Sequence, residues 1–310
     1  MANTTSHIVF EFSCFVELGG LRPLLFLPFS LFYFLSLGAN FLLVLVVARQ
    51  RTLHSPMYLL IAGMACVDGA LPLLVMSPFL VGFLSGWNQV SLSSCLLQMF
   101  VVHLLGAFQS TILLWMALDR CLAVMCPLRY STSLSVKVLM VVGAPLVLRN
   151  VSLISVLVLL LSQRTFCGSV VLNCFCEHMA VVKLVCGDSA LHSVVGLLTI
   201  GLIPVLDFIL ISASYVVVMV TALSGRSVAK AANTMVTHVI VMSVSLTVLL
   251  VVFISHRVDN HLPRAARLLG STLYLFVPST TNSLTFGLRT KEIRRHLQHL
   301  LTLHKHSAVH

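Results

Sequence analysis

The stretch Cys95–Arg129, CLLQMFVVHLLGAFQSTILLWMALDRCLAVMCPLR, decides how this chain is read. At about 1.5 Å of rise per residue, a helix from Cys95 to Arg120 covers roughly 37 Å, more than a hydrocarbon core of about 30 Å. One helix therefore reaches both aqueous faces of a bilayer. A cysteine stands at one end and the pair Asp119-Arg120 at the other. Between them His103, Gly106, Ala107 and Ser110 recur at the i, i+3, i+4, i+7 spacing that puts side chains on one stripe. The stripe is small and polar, so it faces protein or a cavity rather than lipid. The helix reads as one that carries a signal from an outer pocket to an inner switch.

The rest of the chain agrees with a membrane setting. Of 310 residues, 58% are hydrophobic and only 9% charged, too little charge to cover a soluble globule of this size. Seven apolar runs are long enough to be spans, at about 24–48, 57–82, 92–124, 138–161, 191–221, 229–255 and 265–287. Backbone in lipid must satisfy its own hydrogen bonds, and these runs lack the alternation of barrel strands, so they are helices. The expected fold is an all-α membrane protein, a seven-transmembrane helix bundle. Residues 1–23 form a tail before it and 288–310 a short amphipathic helix and tail after it, with Leu288, Ile293, Leu297, Leu300 and Leu301 against a basic face on the inner leaflet.

Charge sets the orientation. Under this map twelve of the nineteen Lys and Arg residues fall on the cytoplasmic side, which includes the 120–137, 226–230 and 289–305 segments, and six on the other, which puts the N-terminus outside. The net charge of +10 then reads as topology plus contact with lipid headgroups; it does not read as nucleic-acid binding. Residues 1–20 lack the basic region and apolar core of a cleavable signal peptide, so the first span is expected to act as its own insertion signal.

Cysteine usage matches. Cys14, Cys95, Cys167, Cys174, Cys176 and Cys186 fall on the outer side, where disulfides form, while Cys66, Cys121 and Cys126 lie in or below the membrane and stay reduced. Asn3-Thr4-Thr5 is a glycosylation sequon on the outer tail; Asn150-Val151-Ser152 matches too but falls within span four. The long loop at about 162–190 holds four cysteines, enough to staple it into a lid: Cys95 with Cys174 or Cys176 pins it to span three, and Cys167 with Cys186 closes it on itself. Cys176-Glu177-His178 lacks the spacing of a zinc site, and the thiols are taken by disulfides.

Several polar residues sit at membrane depth, where each needs a partner. Asn40 on span one has Asp68 on span two as its natural one. A carboxylate at a helix centre costs about 2.5 to 3.5 kcal/mol even on lenient scales, so Asp68 is paired, hydrated or protonated. It is read as part of a polar cluster with Asn40 and the Asn282 region, either occupied by sodium or a purely structural knot. Arg149, near the middle of span four, either snorkels to the cytoplasm or meets an acceptor inside the bundle. Arg120 pairs with Asp119 in a resting state and is released when a neighbouring helix moves.

In combination HSPMY (54–58), MALDRCLAVMCPLRYST (116–132), KAANTMVTH (230–238) and PSTTNSLTFGLRTKEIR (278–294) resemble the olfactory receptors, rhodopsin-like G-protein-coupled receptors; FCEHMAVVKLVCGD (175–188) resembles their fish-like class I branch. The likeness covers nearly the whole chain. It implies that Asn40, Asp68, Asp119, Arg120 and Asn282 belong to the switch, that Cys95 bonds Cys176 and Cys167 bonds Cys186, and that the receptor couples to a stimulatory, olfactory-type G protein. Cys174 is then left over, to pair with Cys14 or stay free. The chain departs from the pattern at Cys121, where the family has the tyrosine of its Asp-Arg-Tyr motif, and at Asn282-Ser283-Leu284-Thr285-Phe286, which lacks the usual proline and tyrosine. Such changes tune basal activity or mark weak coupling.

The ligand is expected to be a small odorant in the outer half of the bundle, with His103, Gly106, Ala107 and Ser110 making room and Arg257, at the top of span six, clamping a carboxylate two-pronged. Class I resemblance implies water-soluble odorants, acids among them. In the plainer reading Arg257 pairs with Asp259 and His103 is an ordinary core histidine. A small-molecule transporter is the alternative from another class, and an orphan or weakly coupled chemoreceptor outside the nose the alternative within this one. The transporter reading is opposed by the lack of internal repeats, and an enzyme by the lack of paired carboxylates, HExxH or a nucleophile elbow in the spans. No cofactor is expected.

Overall fold

The structure, a computed structural model, describes residues 8–125, 136–223, 228–257 and 263–298. The Asn3 sequon, Cys126, Asp259 and the tail from residue 299 lie outside the described residues, as does the side chain of Arg257. Among the described residues seven long helices form one bundle: Phe26–Arg49, Pro56–Ser85, Leu92–Met125, Val136–Ser162, Ala190–Leu223, Val228–Arg257 and Arg264–Arg289, referred to below as spans one to seven. Six of them are long and apolar enough to cross a membrane by themselves; span seven is long but more polar. Its Ser271, Thr272, Ser279, Thr280, Asn282 and Ser283 are all buried against neighbours rather than lipid.

Local chemistry explains the element ends and bends. Span two begins with Pro56 at its first turn, where the missing N–H costs nothing, and ends at Gly86, whose φ of 70° suits only a glycine-like left-handed cap. Span three is capped by Ser91, whose Oγ accepts the backbone N–H of Ser94 at 3.3 Å. Span two is wound into a π turn at Pro72–Met76 and span five at Gly201–Val205, which holds Pro204, so both are re-aimed partway along their length.

Span three runs through the middle, packing on spans two, four, five and six, while span seven closes the ring against spans one, two and six. The inner half is held by aliphatic packing that includes Leu43, Met64, Leu114, Met116 and Val218. Rings dominate the other half: Phe29 stacks on Phe276 at 5.4 Å, and Phe79 meets Phe83 edge-on at 4.9 Å. After Thr290, residues 291–298 form a further helix, with Ile293 fully buried and Leu297 packed on the same inner core, so its apolar face turns to the bundle.

The segment before span one is an ordered part of the lid. Its strand β1 (Val9–Phe12) pairs antiparallel with β2 (Gln89–Ser91) and parallel with β3 (Val170–Val171) of the long loop. Three disulfides fasten this end: Cys14–Cys174, Cys95–Cys176 and Cys167–Cys186. Cys66 and Cys121 take part in no disulfide.

Candidate ligand cavity and switch

A cavity of about 110 Å³ opens beside span three under the lid, and His103, Gly106, Ala107 and Ser110 all line it. Across from them stand Thr199, Ile203 and Phe208 of span five, Leu246 and Leu249 of span six, and Tyr274 of span seven. Gly106 is required for this shape: a Cβ there would lie 2.7 Å from the Tyr274 hydroxyl. The lid reaches the same region through a five-residue helix, His178–Val182, whose first turn is capped by Glu177 accepting from Ala180 N at 2.8 Å. His178 is buried, packs over Gly196 and meets His103 edge-on at 6.4 Å. His103 bonds the Met99 carbonyl through Nδ1 at 2.8 Å; a carbonyl only accepts, so Nδ1 carries the proton. On the lid, desolvation and then the nearby Arg267 push the Lys183 ammonium below its ordinary range, with Glu177 pulling the other way.

The cavity floor is an ion pair. Arg149 donates to both oxygens of Asp207, at 2.7 and 3.0 Å, and also to Thr111 Oγ1 and Asn150 Oδ1. Ser110 donates its hydroxyl to the same carboxylate. Asn150 completes the network, reaching Thr111 Oγ1 at 2.9 Å. Arg149 therefore has its acceptor inside the bundle, and the Asp207 carboxylate facing the cavity is already neutralised. Removing two charges from water costs several kcal/mol per ion, which only this density of hydrogen bonds offsets.

Deeper in, Asp68 is fully buried and accepts from the Gln109 amide and from Asn282 Nδ2 at 3.1 Å. Asn40 bonds elsewhere, donating to the carbonyls of Ser36 and Ser279 at 2.9 Å each. Asp68 is thus not the partner of the Asn40 amide, because the rotation of span one aims that amide at span seven. The oxygens Asn40 Oδ1 and Asn282 Oδ1 are buried and, among the described residues, accept no hydrogen bond. Carboxylate and amide oxygens are hard donors of the kind light cations take. Groups of three or more His, Cys, Asp or Glu side chains able to hold a metal are absent among the described residues.

At the far end of span three Arg120 lies 3.6 Å from Asp119 and contacts the Met57 sulfur of span two. Close by, His238 of span six shares a 2.7 Å hydrogen bond with Tyr215 of span five and packs on Phe286 of span seven. The Tyr58 hydroxyl lies near Glu292 of the last helix. Reasoning from the chain alone singled out Arg120 and Arg149 but gave no role to Asp207, Gln109 or Thr111, and met Asn150 only as part of a sequon within span four.

The fold is shared with squid rhodopsin, with a TM-score of 0.71 over 91% of this chain and 86% of that one at 12% identity. The bundle, its lid and its central helix thus define a seven-helix membrane protein of the rhodopsin type. The family model described as Olfactory receptor matches residues 29–304. The human olfactory receptor 52K1 is 33% identical over 275 residues, covering 87% of this chain and 88% of its own length. Human olfactory receptor 52A5 is 33% identical over 95% and 96%, and human olfactory receptor 51E2 is 35% identical over 86% and 85%. The chain belongs to the olfactory receptor family. It is a multi-pass receptor of the plasma membrane and not an enzyme, with a small molecule and a G protein as its partners.

Proposed function

We propose that this receptor takes a small, mostly apolar odorant into the cavity beside span three and answers by activating a stimulatory, olfactory-type G protein that raises cyclic AMP. The single observation that carries the reading is the shared placement of His103, Gly106, Ala107 and Ser110 on one cavity wall, on the same helix that carries Asp119-Arg120 toward its other end. The apolar residues across the cavity suit a hydrocarbon body, and the few hydroxyl and imidazole groups suit a polar tip. Arg257, at the lid end of span six, is the proposed clamp for a carboxylate. Asp119 and Arg120, with Asn40, Asp68 and Asn282 behind them, form the proposed switch, and a sodium ion at Asp68 would stabilise one of its states. The N-terminus is proposed to be extracellular and to carry a glycan at Asn3, a reading supported by three disulfides at that end of the molecule.

The test is cyclic AMP in cells that carry the olfactory-type G protein, challenged with a panel of short acids, alcohols and ketones. At least one compound raises cyclic AMP above mock-transfected cells, and Arg257→Ala removes responses to acids while surface expression persists. Silence across the panel from a receptor at normal surface level overturns the signalling reading; unchanged acid responses in the variant remove the clamp.

A further inference from the structure

A second and larger cavity, of about 650 Å³, lies on the outside of the bundle between spans two and three at the lid end. It is separate from the odorant cavity, with which it shares no lining residue. Its walls are Leu74, Phe79 and Phe83 on one side and Leu97 and Val101 on the other, and its roof is the strand pair β1–β2. Leu74 and Leu97 are 57% and 63% exposed, so the opening faces the acyl chains of the surrounding leaflet. Trp87, 69% exposed on the rim, sits where an interfacial indole belongs.

The rim is polar: Asn88, Gln89, Ser91, Ser94 and Gln98 line it, and among the described residues the lining holds no Asp, Glu, Lys, Arg or His. Glu11, just above, accepts from Asn88 Nδ2 at 2.8 Å and repels an anionic head. Gln98 Oε1 already accepts the Cys176 N–H at 2.9 Å, so what it offers a ligand is the two donors of its amide nitrogen. A hydroxyl or ester oxygen answers those donors. Water is a poor filling for the apolar walls, and an empty cleft forfeits dispersion contacts on every side.

We propose that this cleft is a binding site for an uncharged, hydroxyl-bearing amphiphile from the lid-side leaflet, its apolar body between spans two and three and its head under β1–β2. The experiment places the full-length receptor in vesicles of a zwitterionic phospholipid and photolabels it with three diazirine probes: a cholesterol analogue, a monoacylglycerol and a fatty acid of the same chain length as the monoacylglycerol. Labelled peptides are mapped by mass spectrometry. A neutral probe labels residues 74–101, an excess of its unlabelled parent suppresses that labelling about tenfold, and the fatty acid labels several-fold less. The two neutral arms tell a sterol from a glyceride. Leu97→Trp, which fills the cleft, lowers labelling to the level left by competition, whereas Leu197→Trp on the lipid face of span five leaves it unchanged. Labelling by neither neutral probe, labelling that excess parent does not suppress, or equal labelling by the fatty acid overturns the proposal. The competition arm uses the wild-type chain and stands even if Leu97→Trp fails to reach the membrane.

Discussion

Arg149 of span four and Asp207 of span five meet as a two-pronged ion pair, 2.7 and 3.0 Å between nitrogen and oxygen, in a part of the bundle where the arginine side chain is 18% exposed and the aspartate 1%. Removing one partner strands the other in a medium of low dielectric, at a cost of about 3 to 5 kcal/mol. Arg149→Met and Asp207→Leu are therefore each expected to lose most correctly folded receptor from the cell surface. The double variant, with no charge left to bury, recovers a large part of it. Surface immunolabelling of the four forms checks this, and a double variant worse than either single one contradicts it.

The close approach of Gly106 to Tyr274 yields a paired prediction. Gly106→Ala brings a methyl to about the 2.7 Å position against the tyrosine hydroxyl, so the Tyr274 ring on the cavity wall must shift. Potency of any activating odorant falls about tenfold, the effect of roughly 1.4 kcal/mol. Adding Tyr274→Phe removes the clashing oxygen and restores most of it. Concentration–response curves for the two variants against wild type decide the matter.

Cys14–Cys174 ties the N-terminal segment to the lid across a separation of 160 residues. A cross-link over so long a loop contributes about 2 to 4 kcal/mol. Cys14→Ser is expected to lower the melting temperature of purified receptor and to leave Cys174 open to alkylation, read as one added label by mass spectrometry. Cys121→Ser, at a cysteine outside the disulfides at the opposite end, changes the melting temperature little.

A sodium ion is the proposed occupant beside Asp68, a fully buried carboxylate. Replacing sodium with choline in the assay medium is expected to shift odorant potency in wild type, and Asp68→Asn to abolish the shift. A shift that persists in the variant assigns the sodium effect elsewhere.

How far the chain could be read from its letters follows from which interactions are local. Span three was legible because one run of residues holds its length, its stripe and its terminal charges. Span seven was legible as a helix by length, although its serines and threonines make it the least lipid-like, because polar residues at helical spacing are tolerable when neighbours cover them. Strand β1 was not legible: four residues, VFEF, gain their ladder only from Gln89–Ser91 and Val170–Val171, far along the chain. Arg149 stood out as a charge at membrane depth, but its pairing with Asp207 depends on how spans four and five are rotated about their axes. The Asn40 amide illustrates the same limit, since the most obvious polar neighbour in sequence terms is not the one its helix faces.

The central claim is that the cavity beside span three is where the odorant acts. Leu249 lines that cavity, and the next residue, Leu250, is 37% exposed on the outer side of the same helix. The most direct measurement is the cyclic AMP response of Leu249→Trp and Leu250→Trp to an odorant that activates wild type, at matched surface expression. The account predicts that filling the cavity with tryptophan at Leu249 abolishes the response while Leu250→Trp keeps it; a Leu249→Trp receptor that responds like wild type would contradict it.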